Sequence, residues 1–229
     1  MSRRGEILKE MGLGPVWKLR TRVSQDISFP GEERQASAAT REAGILNMDW
    51  PQLKARVAGC TDCRLRAACG QTVFGVGDEK AEWMLVGEAP GAEEDRLGEP
   101  FVGQAGRLLD NMLASIALSR SNNVYIANVL KCRPPGNRNP ERDEVERCAP
   151  YLLRQIGLVR PKLIVAMGRF AAQTLLGTDA TIASLRGKVH RYAGVPLIVT
   201  YHPAYLLRNL PDKAKAWADL LFAATTIAR

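Results

Sequence analysis

The sequence predicts an α/β fold, a three-layer α/β/α sandwich around a central, mostly parallel four-stranded sheet. Two observations carry this. Four short apolar runs recur along the chain, and stretches with apolar residues at helical spacing alternate with them. Strands buried on both faces read as unbroken apolar runs, and parallel strands need crossover helices, so the pattern describes a sheet covered on both sides. At 229 residues with 46% hydrophobic content, the chain can build one such core plus an appended segment.

Residues 1–48 read as an N-terminal arm and linker. Ile7, Leu8, Met11, Val16 and Trp17 suit a short amphipathic helix within residues 1–23, and from Ser24 to about Leu46 the chain turns polar, as in Phe29-Pro30-Gly31-Glu32-Glu33-Arg34. The domain spans residues 49–229. Asp49-Trp50-Pro51 starts its first helix, with Asp49 as N-cap and Pro51 in the first turn. Trp83–Val86 is a buried strand stopped by Gly87, Ala105–Leu118 carries apolar residues at helical spacing, and Val124–Leu130 is a second strand. Asn139-Pro140-Glu141-Arg142-Asp143 opens another helix, with Asn139 as cap and acids in the first turn. Leu163–Met167 is the third strand and leads through Gly168 into the helix Arg169–Leu176. Val189–Tyr192 reads as an edge ribbon, Pro196–Thr200 as the last strand and Asp212–Ile227 as a closing helix. Ligands of such sheets bind beyond the strands' carboxyl ends. Glu88, Asn128 and His202 all lie there.

Charge narrows the partner. The formal net charge is +8, and residues 161–229 hold nine Lys/Arg against three Asp/Glu, whereas residues 51–130 hold eight against ten. A basic C-terminal third points to a polyanion. The N-terminus has no continuous apolar core for a signal peptide, and no apolar run reaches the ~18 residues of a membrane span. A soluble, cytoplasmic protein is expected, with no membrane partner. Five cysteines in a chain without an export signal argue for thiolate ligands rather than disulfides.

Cys60-Thr61-Asp62-Cys63 places two thiols on one turn, a half-site shared by zinc and iron–sulfur centres. Cys132 follows a strand and Cys148 lies in a helix, with fifteen residues between them. Zinc sites often use a second close pair, whereas an iron–sulfur cluster tolerates four separately presented thiolates. Cys69 reads as a spare buried thiol. Such a centre would pin the 50–70 segment to the loop Arg133–Asn139, turning its arginines toward a nucleic-acid backbone.

Two loops remain. Gly87-Glu88-Ala89-Pro90-Gly91-Ala92-Glu93-Glu94-Asp95, running on to Gly98-Glu99-Pro100-Phe101-Val102-Gly103, is rich in Gly and acids, and its carboxylates argue against a phosphate cradle. Taken with Asn128-Val129-Leu130-Lys131-Cys132-Arg133-Pro134-Pro135-Gly136-Asn137-Arg138 and Tyr201-His202-Pro203, it resembles the iron–sulfur (family 4) uracil-DNA glycosylases. The resemblance covers about residues 55–225 and leaves residues 1–50 outside it.

The resemblance implies an enzyme that flips uracil out of DNA, hydrolyses its N-glycosidic bond and leaves an abasic site. A 4Fe-4S cluster would sit on Cys60, Cys63, Cys132 and Cys148. Phe101 would stack on the extruded base. Asn128 would read it, since an amide accepts from uracil N3–H and donates to O4, a pattern that cytosine reverses. Glu94 would stand by C5 against the thymine methyl, and His202 would donate toward O2, where negative charge develops. Where better-known uracil glycosylases carry Asp, this chain has Ala89 beside the base, so Glu88 becomes the carboxylate that positions water or stabilises the sugar cation, assisted by Asn137. Arg133, Arg138 and Arg208 would contact DNA, with Leu206 as the wedge that fills the vacated stack. No Lys stands at these positions to form a Schiff base, which makes the expected enzyme monofunctional. The expected partner is uracil-containing DNA, single- or double-stranded, bound by a monomer. The arm is a candidate contact for a replication or repair protein. The competing reading is a non-catalytic iron–sulfur DNA-binding module of the same fold.

Overall fold

A computed structural model describes residues 39–228 together with Ile7, Glu10 and Met11. The chain divides into two units, Met1–Ala39 and Thr40–Arg229. Met11 donates its amide to the Ile7 carbonyl at 3.1 Å, one helical bond within the segment read as an amphipathic helix. The rest of that segment, and the polar stretch up to residue 38, lie outside the described residues.

The second unit is built on six strands, β1 (Val76–Gly77), β2 (Trp83–Gly87), β3 (Val124–Asn128), β4 (Leu163–Met167), β5 (His190–Tyr192) and β6 (Val195–Thr200), in the order β1-β3-β2-β4-β6-β5. The four central strands pair in parallel and the two edges antiparallel. The expected four-stranded sheet is therefore the centre of a six-stranded one. The edge ribbon is β5. The sequence shows no sign of β1, because two residues carry no period and Gly75 and Gly77 sit at φ +144° and +127°, where side chains are rarely tolerated. The second strand also stops at Asn128 rather than Leu130.

Alternate residues of each central strand point to opposite faces. On one face Met84, Val86, Ile164 and Leu197 meet Leu152 and Ile156 of the helix Arg142–Val159 and Leu175 of the helix Arg169–Leu176. On the other, Leu85, Ile126 and Val165 meet Leu109 and Leu113 of the helix Gln104–Ala114 and Ala223 of the helix Lys213–Ile227. These are the three layers. No helix among the described residues is long and apolar enough to cross a membrane.

Helix starts follow local chemistry. Asp49 caps Trp50–Ala58, accepting from the Gln52 amide at 2.9 Å in a reciprocal capping box. The helix Arg142–Val159 departs from expectation: its cap is Glu141 rather than Asn139, and the Glu144 side chain returns to the Glu141 amide at 2.9 Å. A longer difference lies at the boundary of the domain. Residues 40–46, read as linker, are helical. Ile45 is 1% exposed and packs on Leu53, Val57 and Tyr151. Arg41 reaches Asp62, which also accepts from Arg56 at 2.8 Å and from the Tyr151 hydroxyl at 2.7 Å. Burial works to raise the Asp62 carboxyl, but these donors outweigh it and hold the group well below the usual carboxylate range. The compact unit thus begins at Thr40, earlier than residue 49.

Candidate active site

The carboxyl ends of β2, β3 and β6 lie on one edge of the sheet. Gly87 and Asn128 are register partners in adjacent strands. His202 follows the end of β6 and passes over Gly168, whose φ of +94° and missing side chain allow the approach; a Cβ there would stand 2.9 Å from the His202 Cβ. Beyond this edge opens a cleft with about 1170 Å³ of space, counting its mouth. Its walls include every residue assigned above to the reaction or the base: Glu88, Ala89, Glu94, Phe101, Asn128, Asn137 and His202. Arg138 and Arg208 line it as well, while Arg133 does not.

Asn128 is 2% exposed, and its Oδ1 is the one buried side-chain polar atom without a hydrogen-bond partner among the described residues. Leaving such an acceptor unmet costs about 1–3 kcal/mol. Gly87 makes room for it, since a Cβ at residue 87 would run into Asn128 Oδ1 and lie 2.7 Å from Phe101 Cζ. The Asn128 main chain is fixed separately: the buried Lys131 ammonium donates to its carbonyl at 2.9 Å and to Gln155 Oε1 at 2.7 Å.

Phe101 is 5% exposed, and its ring centroid lies 5.4 Å from that of His202, at 30° between planes. Its φ is +56°, a left-handed conformation that costs an L-residue roughly 1–2 kcal/mol. Neighbouring residues hold it there. Glu94 Oε1 accepts from the Val102 and Gly103 amides at 3.1 and 3.4 Å, and Oε2 from the Gly91 amide at 3.1 Å. Glu94 therefore clasps the two ends of its own loop, a role that its sequence position did not suggest.

His202 Nδ1 accepts from the Ala204 amide at 3.1 Å, which leaves the ring proton of the neutral form on Nε2. Burial lowers its pKa to about 4, with Arg208 adding to that and Glu94 opposing it. At neutral pH the ring is an uncharged donor. Burial raises the Glu88 carboxyl, opposed by Arg169. Asn137, at φ +55°, accepts from Arg133 Nε at 2.7 Å, so Arg133 acts on the cleft through Asn137. Arg138 grips the buried Glu144 carboxylate with two nitrogens, at 2.6 and 3.0 Å.

Leu206, read as the wedge, does not line the cleft. It is 1% exposed and packs inward, facing Leu108, Met112 and Leu220 across a small apolar pocket. Its neighbour Leu207 is the exposed one. Tyr205 also lines the cleft, stacked on Tyr201 with centroids 5.1 Å apart and bonded to Asp212 at 2.6 Å. An aromatic three residues beyond His202 was the available signal for it; it lies on the short helix Pro203–Arg208.

Cys60, Cys63, Cys132 and Cys148 line a second pocket, with about 330 Å³ of space counting its mouth, alongside Val57, Leu65 and Leu130. Cys69 is buried nearby but does not line it. Among the described residues no three His, Cys, Asp or Glu side chains form a site for a metal ion. The four thiols share the pocket without converging on one point. Cys60 Sγ accepts from Tyr151 at 3.3 Å and Cys148 Sγ from the Lys131 amide at 3.3 Å. Burial raises the Cys148 thiol to about 11 and pushes Cys63 and Cys132 upward as well.

Comparison with known proteins agrees with this geometry. Residues 74–221 match the family model of the uracil DNA glycosylase superfamily. The chain is 50% identical over 159 residues to the type-4 uracil-DNA glycosylase of Archaeoglobus fulgidus, covering 66% of this chain and 79% of that one. It is 45% identical over 181 residues to the type-4 uracil-DNA glycosylase of Pyrobaculum aerophilum, covering 76% and 92%, and 43% identical over 162 residues to that of Thermotoga maritima, covering 70% and 84%. An unmet amide acceptor, a stacking ring and a neutral imidazole at one sheet edge thus occur in a chain that belongs to the type-4 uracil-DNA glycosylases.

Proposed function

We propose that this chain is a DNA repair enzyme that takes uracil out of the duplex or single strand, hydrolyses its N-glycosidic bond and leaves an abasic site. The buried, unpartnered Oδ1 of Asn128 carries the reading. It accepts from uracil N3–H, and the same amide donates to O4. Cytosine presents a bare N3 and an amino group, so both contacts fail. Rejection by mispaired buried polar groups is strong discrimination.

Extrusion costs on the order of a few kcal/mol in lost stacking and pairing. Stacking on Phe101 and the amide bonds offset it. As the glycosidic bond breaks, charge grows on the base, and the Nε2–H of neutral His202 donates toward O2. A neutral donor suits this task because the buried ring does not have to take up a proton, which burial opposes, before it can donate. Glu88 faces the sugar side, stabilising its developing positive charge and holding the attacking water. Asn137, braced by Arg133, assists. Ala89 stands beside the base without a carboxylate, so the water-directing role falls to Glu88. Arg138 and Arg208 approach the phosphates, and exposed Leu207 takes the place of the extruded base.

The four thiols suit a 4Fe-4S cluster, whose irons sit at separate corners and take one thiolate each. A single zinc would need all four sulfurs within about 4 Å of one another. When bound, the cluster supplies a cross-link between the Cys60–Cys63 turn and the loop after β3; no step of the reaction runs through it. The arm before residue 40 remains our candidate contact for a replication or repair protein.

The test is release of free uracil from uracil-containing oligonucleotides by the wild type and Asn128→Ala. Loss of one directed hydrogen-bonding group is expected to slow release roughly 10²–10³-fold. Tight binding of the same DNA by the wild type without uracil release would support the non-catalytic module instead.

A further inference from the structure

The ring on which the base is proposed to stack depends on a backbone that an aromatic residue does not choose by itself. Phe101 sits at φ +56°. Glu94 holds the residues after it, at the amides of Val102 and Gly103. The residues before it are held by a side chain from outside the cleft. Arg120 lies in the turn between the helix Gln104–Ala114 and β3, nineteen positions along the chain, with a side chain 19% exposed. Its Nη1 donates to the Pro100 carbonyl at 2.8 Å, and its Nη2 to the Phe101 carbonyl. Its Nε donates to Asp110 at 2.5 Å, which orients the plane, and Glu99 Oε1 lies 3.8 Å from Nη1. Gly106 completes the seat: a Cβ there would collide with the Phe101 carbonyl, so the first turn of the helix closes directly on that peptide.

We propose that Arg120 is a positioning residue for base recognition. Its guanidinium forks onto two successive carbonyls, Pro100 and Phe101, locks the peptide between them in the left-handed conformation and thereby aims the Phe101 ring into the cleft. The inference rests on the reading of Phe101 as the stacking surface. Arg120 itself does not line the cleft. A planar fork with fixed donors suits two adjacent acceptors, and an ammonium does not reproduce it. Without the fork the Phe101 peptide relaxes toward negative φ and carries the ring with it.

A double-mutant cycle between Arg120→Met and Phe101→Ala tests this, read as KM and kcat for uracil release and as inhibition by free uracil. Arg120→Met is expected to raise KM and weaken uracil inhibition by about 10-fold with a smaller change in kcat, the behaviour of lost base binding. In the Phe101→Ala background the same substitution is expected to change either quantity less than about 2-fold, because coupled residues are not additive. Arg120→Lys should restore less than half of the loss. If Arg120→Met proves too unstable to assay, Asp110→Ala, which leaves the guanidinium present but removes the acceptor that orients its Nε, should show the same pattern at smaller size. Full additivity, or wild-type kinetics in Arg120→Met alongside an impaired Phe101→Ala, overturns the positioning role and leaves the stacking reading intact. An unimpaired Phe101→Ala overturns both.

Discussion

The two pockets that flank the end of β3 are built on opposite principles. Asn128, the last residue of the strand, leaves a polar atom unmet where the other buried side-chain polar atoms among the described residues have partners. Four residues on, Cys132 opens a pocket with apolar walls, in which burial favours neutral thiols. Lys131 stands between them, its ammonium on the Asn128 carbonyl and its amide on Cys148 Sγ. The first pocket, on the proposed reading, receives a visitor that brings its own donor and leaves. The second, on the proposed reading, holds a resident cationic centre that would keep the sulfurs deprotonated. A directional, neutral site can turn over, whereas a charged, desolvated one works as a permanent fastening.

Breaking each pocket should give different symptoms. The largest effect is expected at the visitor's site: Asn128→Ala should lose about two to three orders of magnitude in uracil release, the cost of one directed group at a reacting centre, with a melting temperature no lower than that of the wild type. Cys132→Ser, at the fastening, should lose iron content and the visible sulfur-to-iron absorption and should lower the melting temperature. An intact spectrum in that variant would remove Cys132 from the ligand set.

A third experiment sharpens where the fastening is anchored. Ile45→Ala should cost about 2–4 kcal/mol in denaturant unfolding, because it empties a filled site against Leu53 and Tyr151. Deleting residues 1–38 should leave both stability and base excision largely intact, while deleting residues 1–46 should not. Equal behaviour of the two truncations would show that residues 40–46 add nothing to the unit.

Near neutral pH the smallest expected effect is a pH dependence. His202 has a pKa of about 4 in the folded chain, against 6.5 for a free side chain. The unfolded chain therefore binds the proton first, and stability should fall as pH drops from about 6.5 to about 4 and level off below that. In His202→Asn this part of the slope should vanish, as measured by denaturant midpoints across the window. A slope unchanged by the substitution would assign the effect elsewhere.

How much of this was legible in the chain differs from one residue to the next. The central strands were plain, because unbroken apolar runs such as Leu163–Met167 have few other readings. The strand β1 was invisible, being two residues between special glycines. Residues 40–46 were misread because one buried side chain, Ile45, and one ion pair to Asp62 are too few to show as a period. Asn128, Phe101 and His202 were singled out through the resemblance of the loops around them, and one cleft brings them together. Leu206 and Leu207 could not be told apart, since neighbouring residues on a short helix differ only by which side faces the core. Arg120 gave no signal at all, because its partners are backbone carbonyls and any sequence supplies those.

The sequence by itself determined the alternation of strands and helices, the four thiols and the residue types at the strand ends, because these follow from short-range pattern and from chemistry carried by single side chains. Only the tertiary structure decided which acceptor stays unmet, which leucine is buried, and that Glu94 and Arg120 hold Phe101 from two sides. Those outcomes depend on distances between segments far apart in the chain, and burial and hydrogen-bond satisfaction exist only once those segments have met.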